Sequence, residues 1–292
     1  MKEIRGVLTA MATPFDESGA VDTSAALSLA NHLLENGSHG LVISGSTGEA
    51  PTLTDEEALV LLRTIRDEVG DEVLLICGTG TNYTDHSVEL TKGAVEAGAD
   101  AALIVTPYYN KPNPAGILAH FEKIAASVPG FPLIAYNIPS RVVVNVPPEQ
   151  LAEIAKIDNV VAVKQANNDD LRPIEGLDIL AGNDDVFCKT LEIGGAGGIC
   201  VASHLVGPQM REVWDAAQAG DLERAREIDA GLREVYAAMG VTTNPIPVKA
   251  ALAMLGLIPT DTLRLPLVPA DAEQRAVIRS ALEGVGLTPV SS

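Results

Sequence analysis

The sequence predicts an α/β fold: a closed, parallel (β/α)8 barrel of the TIM type, followed by a small C-terminal domain of three helices. Three observations carry this reading. Eight short apolar runs recur up to about residue 222. Amphipathic stretches of helical period separate most of them, so consecutive strands are joined by crossovers and run parallel. Beyond residue 222 the alternation stops and only helical patterns follow. The expected domains are therefore 1–222 for the barrel and 223–292 for the helical part. An open, doubly wound sheet is the competing architecture. It is disfavoured because no G-x-G-x-x-G follows the first strand.

The elements follow in order. The run 6–12 is short, contains Thr9 and ends at Thr13-Pro14, which suits a first strand rather than a signal peptide. The further strands are 40–44, 73–77, 101–106, 132–136, 160–164, 179–181 and 198–202. Helical patterns occupy 24–36, 55–69, 84–97, 115–126, 148–155, 185–193 and 208–219, with a weaker one at 171–177. Thr54-Asp55-Glu56-Glu57 and Pro147-Pro148-Glu149 are helix-start signals, and Gly37, Gly70 and Gly98 follow helices as stops. The C-terminal helices are expected at 221–239, 247–255 and 270–284.

Composition narrows the function classes. The chain has 292 residues, 47% of them hydrophobic, enough for a sizeable core. Its net charge of −19 argues against nucleic acid and anionic membranes as partners, since both carry the same sign. The acidic residues are spread through the predicted helices and suit a solvated surface. Cys77, Cys188 and Cys200 sit in apolar surroundings without a C-x-x-C pair, as expected for buried thiols in a reducing compartment. No run approaches the ~20 apolar residues of a membrane span, and a cytoplasmic location is expected.

A barrel of this kind places its chemistry at the C-terminal ends of the strands. Lys164 is the most informative residue there. It is one of eight lysines and the only one inside an apolar, β-branched run, Val160-Val161-Ala162-Val163-Lys164. Such a lysine either snorkels to solvent, pairs with a carboxylate, or loses its charge readily and attacks a carbonyl as a partly neutral amine. The second strand ends in Gly45-Ser46-Thr47-Gly48-Glu49, either a carboxylate cradle of two hydroxyls between glycines or an ordinary turn. The fifth ends in Tyr136-Asn137-Ile138-Pro139-Ser140-Arg141. Its tyrosine can move protons and its arginine can grip a carboxylate, or the two are a core-edge tyrosine and a surface arginine. The fourth ends in Tyr108-Tyr109, aromatics that suit an interface. The five histidines lack metal-ligand spacing, so no metal is expected. The glycine run 194–198 precedes a strand instead of opening a helix and is expected to be a turn. Together the strand ends supply an amine nucleophile, a tyrosine acid/base, a carboxylate cradle and a cationic clamp. That set implies carbonyl activation through a Schiff base, then carbon–carbon bond formation or cleavage.

These motifs, with Ala181-Gly182-Asn183-Asp184-Asp185 and Asn244-Pro245-Ile246-Pro247-Val248-Lys249, resemble the dihydrodipicolinate synthase / N-acetylneuraminate lyase family over essentially the whole chain. The resemblance implies that Lys164 forms a Schiff base with pyruvate, that Tyr136 is the central proton shuttle and that Ser46 supplies a relay hydroxyl. It implies that Tyr109 reaches into a neighbouring subunit's site, that Thr47 holds the pyruvate carboxylate and that Arg141 meets the carboxylate of L-aspartate-β-semialdehyde. Gly182 and Ile199 would line the site near the lysine, Ile199 through its backbone. The resemblance further implies a homo-oligomer, a tetramer built as a dimer of dimers. It implies a product, 4-hydroxy-tetrahydrodipicolinate, on the diaminopimelate route to lysine. No metal or organic cofactor is implied, because the covalent lysine–pyruvate Schiff base is itself the electron sink.

Three residues depart from the synthase branch: Ser46 where threonine is commoner, Gln165 where glutamate is common, and Ala50 where serine is common. Arg141, the Tyr108–Pro112 turn and the Asn244–Lys249 segment side with the synthases. The rivals are N-acetylneuraminate lyase, a 2-keto-3-deoxy sugar acid aldolase and a catalytically silent binding or regulatory member. Lysine-inhibited relatives carry a glutamate and histidines in a cleft between subunits. Asn82 and Tyr108 match that cleft here, but Asp55, Ala58 and His86 do not, so weak or absent inhibition by L-lysine is expected.

Overall fold

A computed structural model describes residues 2–290 of the chain. Eight parallel strands close in sequence order: β1 (Gly6–Ala10), β2 (Gly40–Ile43), β3 (Leu74–Gly78), β4 (Ala101–Val105), β5 (Leu133–Asn137), β6 (Val160–Gln165), β7 (Asp178–Ala181) and β8 (Gly197–Cys200). Alternate residues face opposite ways, which is why the strands are apolar almost throughout. Leu8, Val42, Ile76, Leu103, Ile134 and Ile199 fill the barrel interior. Val7, Leu41, Leu75, Ile104, Leu133 and Val163 face outward and pack under the helices.

Closure occurs where β8 pairs β1, with Gly197 beside Gly6. A Cβ on Gly197 would fall 2.1 Å from the Gly6 carbonyl oxygen, and its φ is 147°. Only glycine admits that approach, and the glycine run is a turn into a strand, as its position suggests.

The outer layer is α1 (Thr23–Glu35), α2 (Asp55–Val69), α3 (Thr84–Glu96), α4 (Pro114–Ser127), the single turn α5 (Pro139–Val142), α6 (Pro148–Ile154), α7 (Phe187–Glu192) and α8 (Ser203–Gln218). Thr54 and Glu57 form a reciprocal capping box at the start of α2. Four helices follow, not three: α9 (Leu222–Ala230), α10 (Arg233–Met239), α11 (Ile246–Met254) and α12 (Ala272–Gly284). The single helix expected over 221–239 divides because Gly231 ends α9 and the Leu232 N–H closes a tight turn on the Asp229 carbonyl at 3.0 Å. α9 packs on α7 and α8, and α11 on α8, so the helical part continues the barrel wall.

Two other expectations need correction. The stretch 171–177 is not helical; Pro173 lacks an N–H, Gly176 has φ 84°, and Ile174 bridges Leu177 in antiparallel fashion. The helix expected at 208–219 begins at Ser203, with non-helical angles at Val206 just ahead of Pro208. The turn α5, which carries Arg141, is too short for a periodic signal.

Candidate active site

A cavity of about 690 Å³ opens at the C-terminal ends of β2 to β5. Ser44, Gly45 and Ser46 line it beyond β2, Gly78 at the end of β3, Val105 at the end of β4 and Tyr136 near the end of β5. Tyr136 continues the inward row of Ile134, and Lys164 continues that of Ala162. The two are register partners across β5 and β6. Both are buried, and the Lys164 Nζ lies 4.3 Å from the centre of the Tyr136 ring. At 6% exposure the lysine does not snorkel. Among the described residues it makes no ion pair either, so the amine rests on an aromatic face.

Asp184 stands nearby. Its carboxylate accepts the N–H groups of Val201 at 2.9 Å and Ala202 at 3.1 Å, pinning the chain after β8. Burial raises its pKa, against the lowering effect of those two bonds and of the Lys164 charge.

The loop after β2 is held from several sides. Thr13 donates to the Gly48 carbonyl at 2.8 Å. Thr47 is buried, and its Oγ1 accepts the Asn244 side-chain N–H at 2.9 Å. Glu49, at φ 57°, accepts the Lys249 Nζ at 2.7 Å and the Arg264 backbone N–H at 3.1 Å. Both side chains of the Glu49–Lys249 pair are wholly buried. Burial lowers the pKa of Lys249, and the Glu49 carboxylate works against that shift.

Arg141 projects from α5 and is exposed; its Nη2 donates to the Asn244 backbone carbonyl at 3.0 Å. A guanidinium has five N–H donors, so four remain for a carboxylate. Tyr109 lies at the rim with 86% of its surface exposed and φ 73°.

The structure thus brings Ser46, Tyr109, Tyr136 and Arg141 into one cavity wall, with Lys164 against Tyr136. Thr47 sits one hydrogen bond from the lining residue Asn244. Gly182 and Ile199 do not line this cavity. Gly182 follows β7, where a Cβ would stand 2.7 Å from the Gln165 carbonyl oxygen, and the Ile199 side chain fills the barrel interior. Sequence reasoning missed roles for Asn244, Glu49, Lys249 and Asp184. All four lay inside motifs singled out above, but their partners are distant in the chain.

The description "Dihydrodipicolinate synthetase family" belongs to a family model that matches residues 3–285. The chain is 44% identical over 289 residues to the 4-hydroxy-tetrahydrodipicolinate synthase of Cyanothece sp., covering 96% of this chain and 98% of that one. It is 44% identical over 288 residues to the enzyme of that name from Synechococcus elongatus, covering 96% of each. This chain belongs to the dihydrodipicolinate synthetase family. Among solved structures of the family, the chloride-inhibited dihydrodipicolinate synthase from Acinetobacter baumannii complexed with pyruvate superposes with a TM-score of 0.94. It is 35% identical and covers 98% of this chain and 100% of that one. The chain is an enzyme of this family.

One departure from the synthase branch, Gln165, and one from the lysine-inhibited relatives, at Asp55 and His86, now have a place. Gln165 points away from the cavity. Its Oε1 accepts the Asn137 side-chain N–H at 3.0 Å and the Asn167 backbone N–H at 2.9 Å, so its identity bears on loop structure rather than on substrate. Asp55 and His86 line the outer part of the cavity and pair at 2.9 Å, so that carboxylate is already partnered.

Proposed function

We propose that this enzyme condenses pyruvate with L-aspartate-β-semialdehyde through a Schiff base on Lys164, giving 4-hydroxy-tetrahydrodipicolinate. The observation that carries the reading is the buried Lys164 amine, 4.3 Å from the centre of the Tyr136 ring beside a cavity that also holds Ser46 and Arg141. The amine attacks the keto carbon of pyruvate; water leaves and an iminium forms. The iminium draws electrons from the methyl group, which loses a proton to become an enamine. Tyr136 is positioned to carry that proton, with the Ser46 hydroxyl as its relay. The enamine carbon then bonds to the aldehyde carbon, whose oxygen takes a proton, and the iminium is regenerated. The amine of the semialdehyde attacks the iminium carbon, closes the ring and expels the Lys164 amine.

Thr47 is assigned to the pyruvate carboxylate and Arg141 to the carboxylate of the semialdehyde, which a bidentate guanidinium suits. A sugar acceptor lacks that carboxylate and would leave Arg141 idle. Gly182 keeps the end of β7 free of a side chain near the lysine, and Ile199 serves through its backbone. Neither metal nor organic cofactor has a step in this scheme, because the lysine adduct is the electron sink. The enzyme acts as a homo-oligomer, a dimer of dimers, in which Tyr109 completes the relay of a second copy. Its 86% exposed ring supports that role. A cytoplasmic site of action suits three buried free thiols, and no described helix is long and apolar enough to cross a membrane.

The test is pyruvate consumption by the purified protein, with the semialdehyde and N-acetylmannosamine offered side by side. Turnover with the semialdehyde alone is expected, and borohydride should trap pyruvate on Lys164 but not on a Lys164→Ala protein. Turnover with the sugar alone, or trapping at another lysine, would overturn the reading.

A further inference from the structure

We propose that Asn244 is a positioning residue serving both carboxylate-binding groups of the site. Its side-chain amide aims the Thr47 hydroxyl at pyruvate, and its backbone carbonyl holds the Arg141 guanidinium. The inference rests on the roles proposed above for Thr47 and Arg141.

Thr47 and Arg141 come from loops after different strands. Asn244, which lies between α10 and α11 and lines the cavity, joins them across 197 and 103 residues of chain. A hydroxyl has one proton to give and two lone pairs. The Asn244 amide donates to Thr47 Oγ1 at 2.9 Å and occupies one lone pair. Among the described residues Thr47 gives its own proton to no partner, so that proton is left for a ligand. Thr47 is buried, and among the described residues the Asn244 amide is the one group hydrogen-bonded to its hydroxyl.

The amide is also neutral. A carboxylate in its place would take the Thr47 proton for itself and repel an incoming anion. The Asn244 Oδ1 is buried and has no partner, so the side chain is held in the site by the Thr47 bond and not by a wider network. Its place is set from behind: Pro245 and α11 follow, and Lys249 of α11 is locked to Glu49, two residues beyond Thr47.

Side chain and backbone do separate jobs here, which makes the inference testable. Replacing the side chain removes the Thr47 bond but leaves the carbonyl that holds Arg141. Asn244→Ala should raise KM for pyruvate about tenfold, the worth of one hydrogen bond serving a charged ligand, with KM for the semialdehyde unchanged. The pyruvate concentration that half-saturates borohydride trapping on Lys164 should rise in parallel. Asn244→Asp, nearly isosteric, should raise both pyruvate values at least as far. A purely structural role would instead lower kcat or move both KM values together, and that result overturns the proposal. So does an unchanged pyruvate value in either folded variant. Wild-type protein provides the control: if it traps no pyruvate at Lys164, the parent reading fails; if it traps normally and the variants match it, only the role of Asn244 fails.

Discussion

His204 serves two backbone groups at once. Its Nε2 accepts the Ala12 N–H at 3.1 Å and its Nδ1 donates to the Val201 carbonyl at 2.8 Å, a pairing that only the neutral ring can make. Burial pushes its pKa from 6.5 down to about 4, and burial does the same to His120. Between those values the unfolded chain binds protons that the native chain refuses, so stability rises with pH across that window. The contribution is complete above about pH 6.5 and is lost as pH falls toward 4. The urea midpoint should therefore fall between these limits. His204→Gln, whose amide can both accept and donate, should flatten the fall; an equally steep fall in the variant would refute this account. At this scale Lys164 was legible because a lysine in a β-branched run is out of place. Asn244 was not, because a lone asparagine before a proline has no chemical signature until Thr47 and Arg141 stand beside it.

At the scale of elements, the loop after β2 depends on α11 and on the segment that follows it. The Lys249 ammonium lies 4.2 Å from the centre of the Phe15 ring, and the Arg264 guanidinium lies 4.5 Å from the same ring. Arg264 also grips the Glu57 carboxylate at 2.6 and 2.8 Å, which holds the Glu57 pKa down at about 2. Lys249→Met should cost about 3–5 kcal/mol by leaving the Glu49 charge buried without its partner. Adding Glu49→Gln removes that charge while keeping an acceptor for the Arg264 N–H, and should recover most of the loss. Urea unfolding of both variants checks this; a double variant as unstable as the single one would show that lost packing, not the stranded charge, dominates. The strands were readable as short, continuous apolar runs, and the long helices because a period of 3.6 persists over many residues. The break at Gly231 and the one-turn α5 were not, since each is a local event too short for a period to repeat.

For the whole molecule, the cavity opens toward a rim where Tyr109 stands 86% exposed, a large aromatic surface to leave in water. If it completes the relay of a second copy, Tyr109→Phe should reduce turnover on the order of 10²-fold without dissociating the oligomer. Mixing Tyr109→Phe with Lys164→Ala subunits should then restore part of the activity, because a hybrid site combines an intact lysine from one copy with an intact tyrosine from the other. No recovery in a proven hybrid would place Tyr109 in its own subunit's site. The sequence by itself determined the eightfold alternation, the strand-end positions of Ser46, Tyr136 and Lys164, and the membership that those motifs resemble, because each is written in contiguous residues. Only the tertiary structure decided that Gln165 faces away from the cavity, that Lys249 is wholly buried against Glu49, and that Asn244 bridges Thr47 and Arg141. The last two depend on the C-terminal helices returning to the barrel mouth, which brings together groups that the chain keeps some hundred or two hundred residues apart.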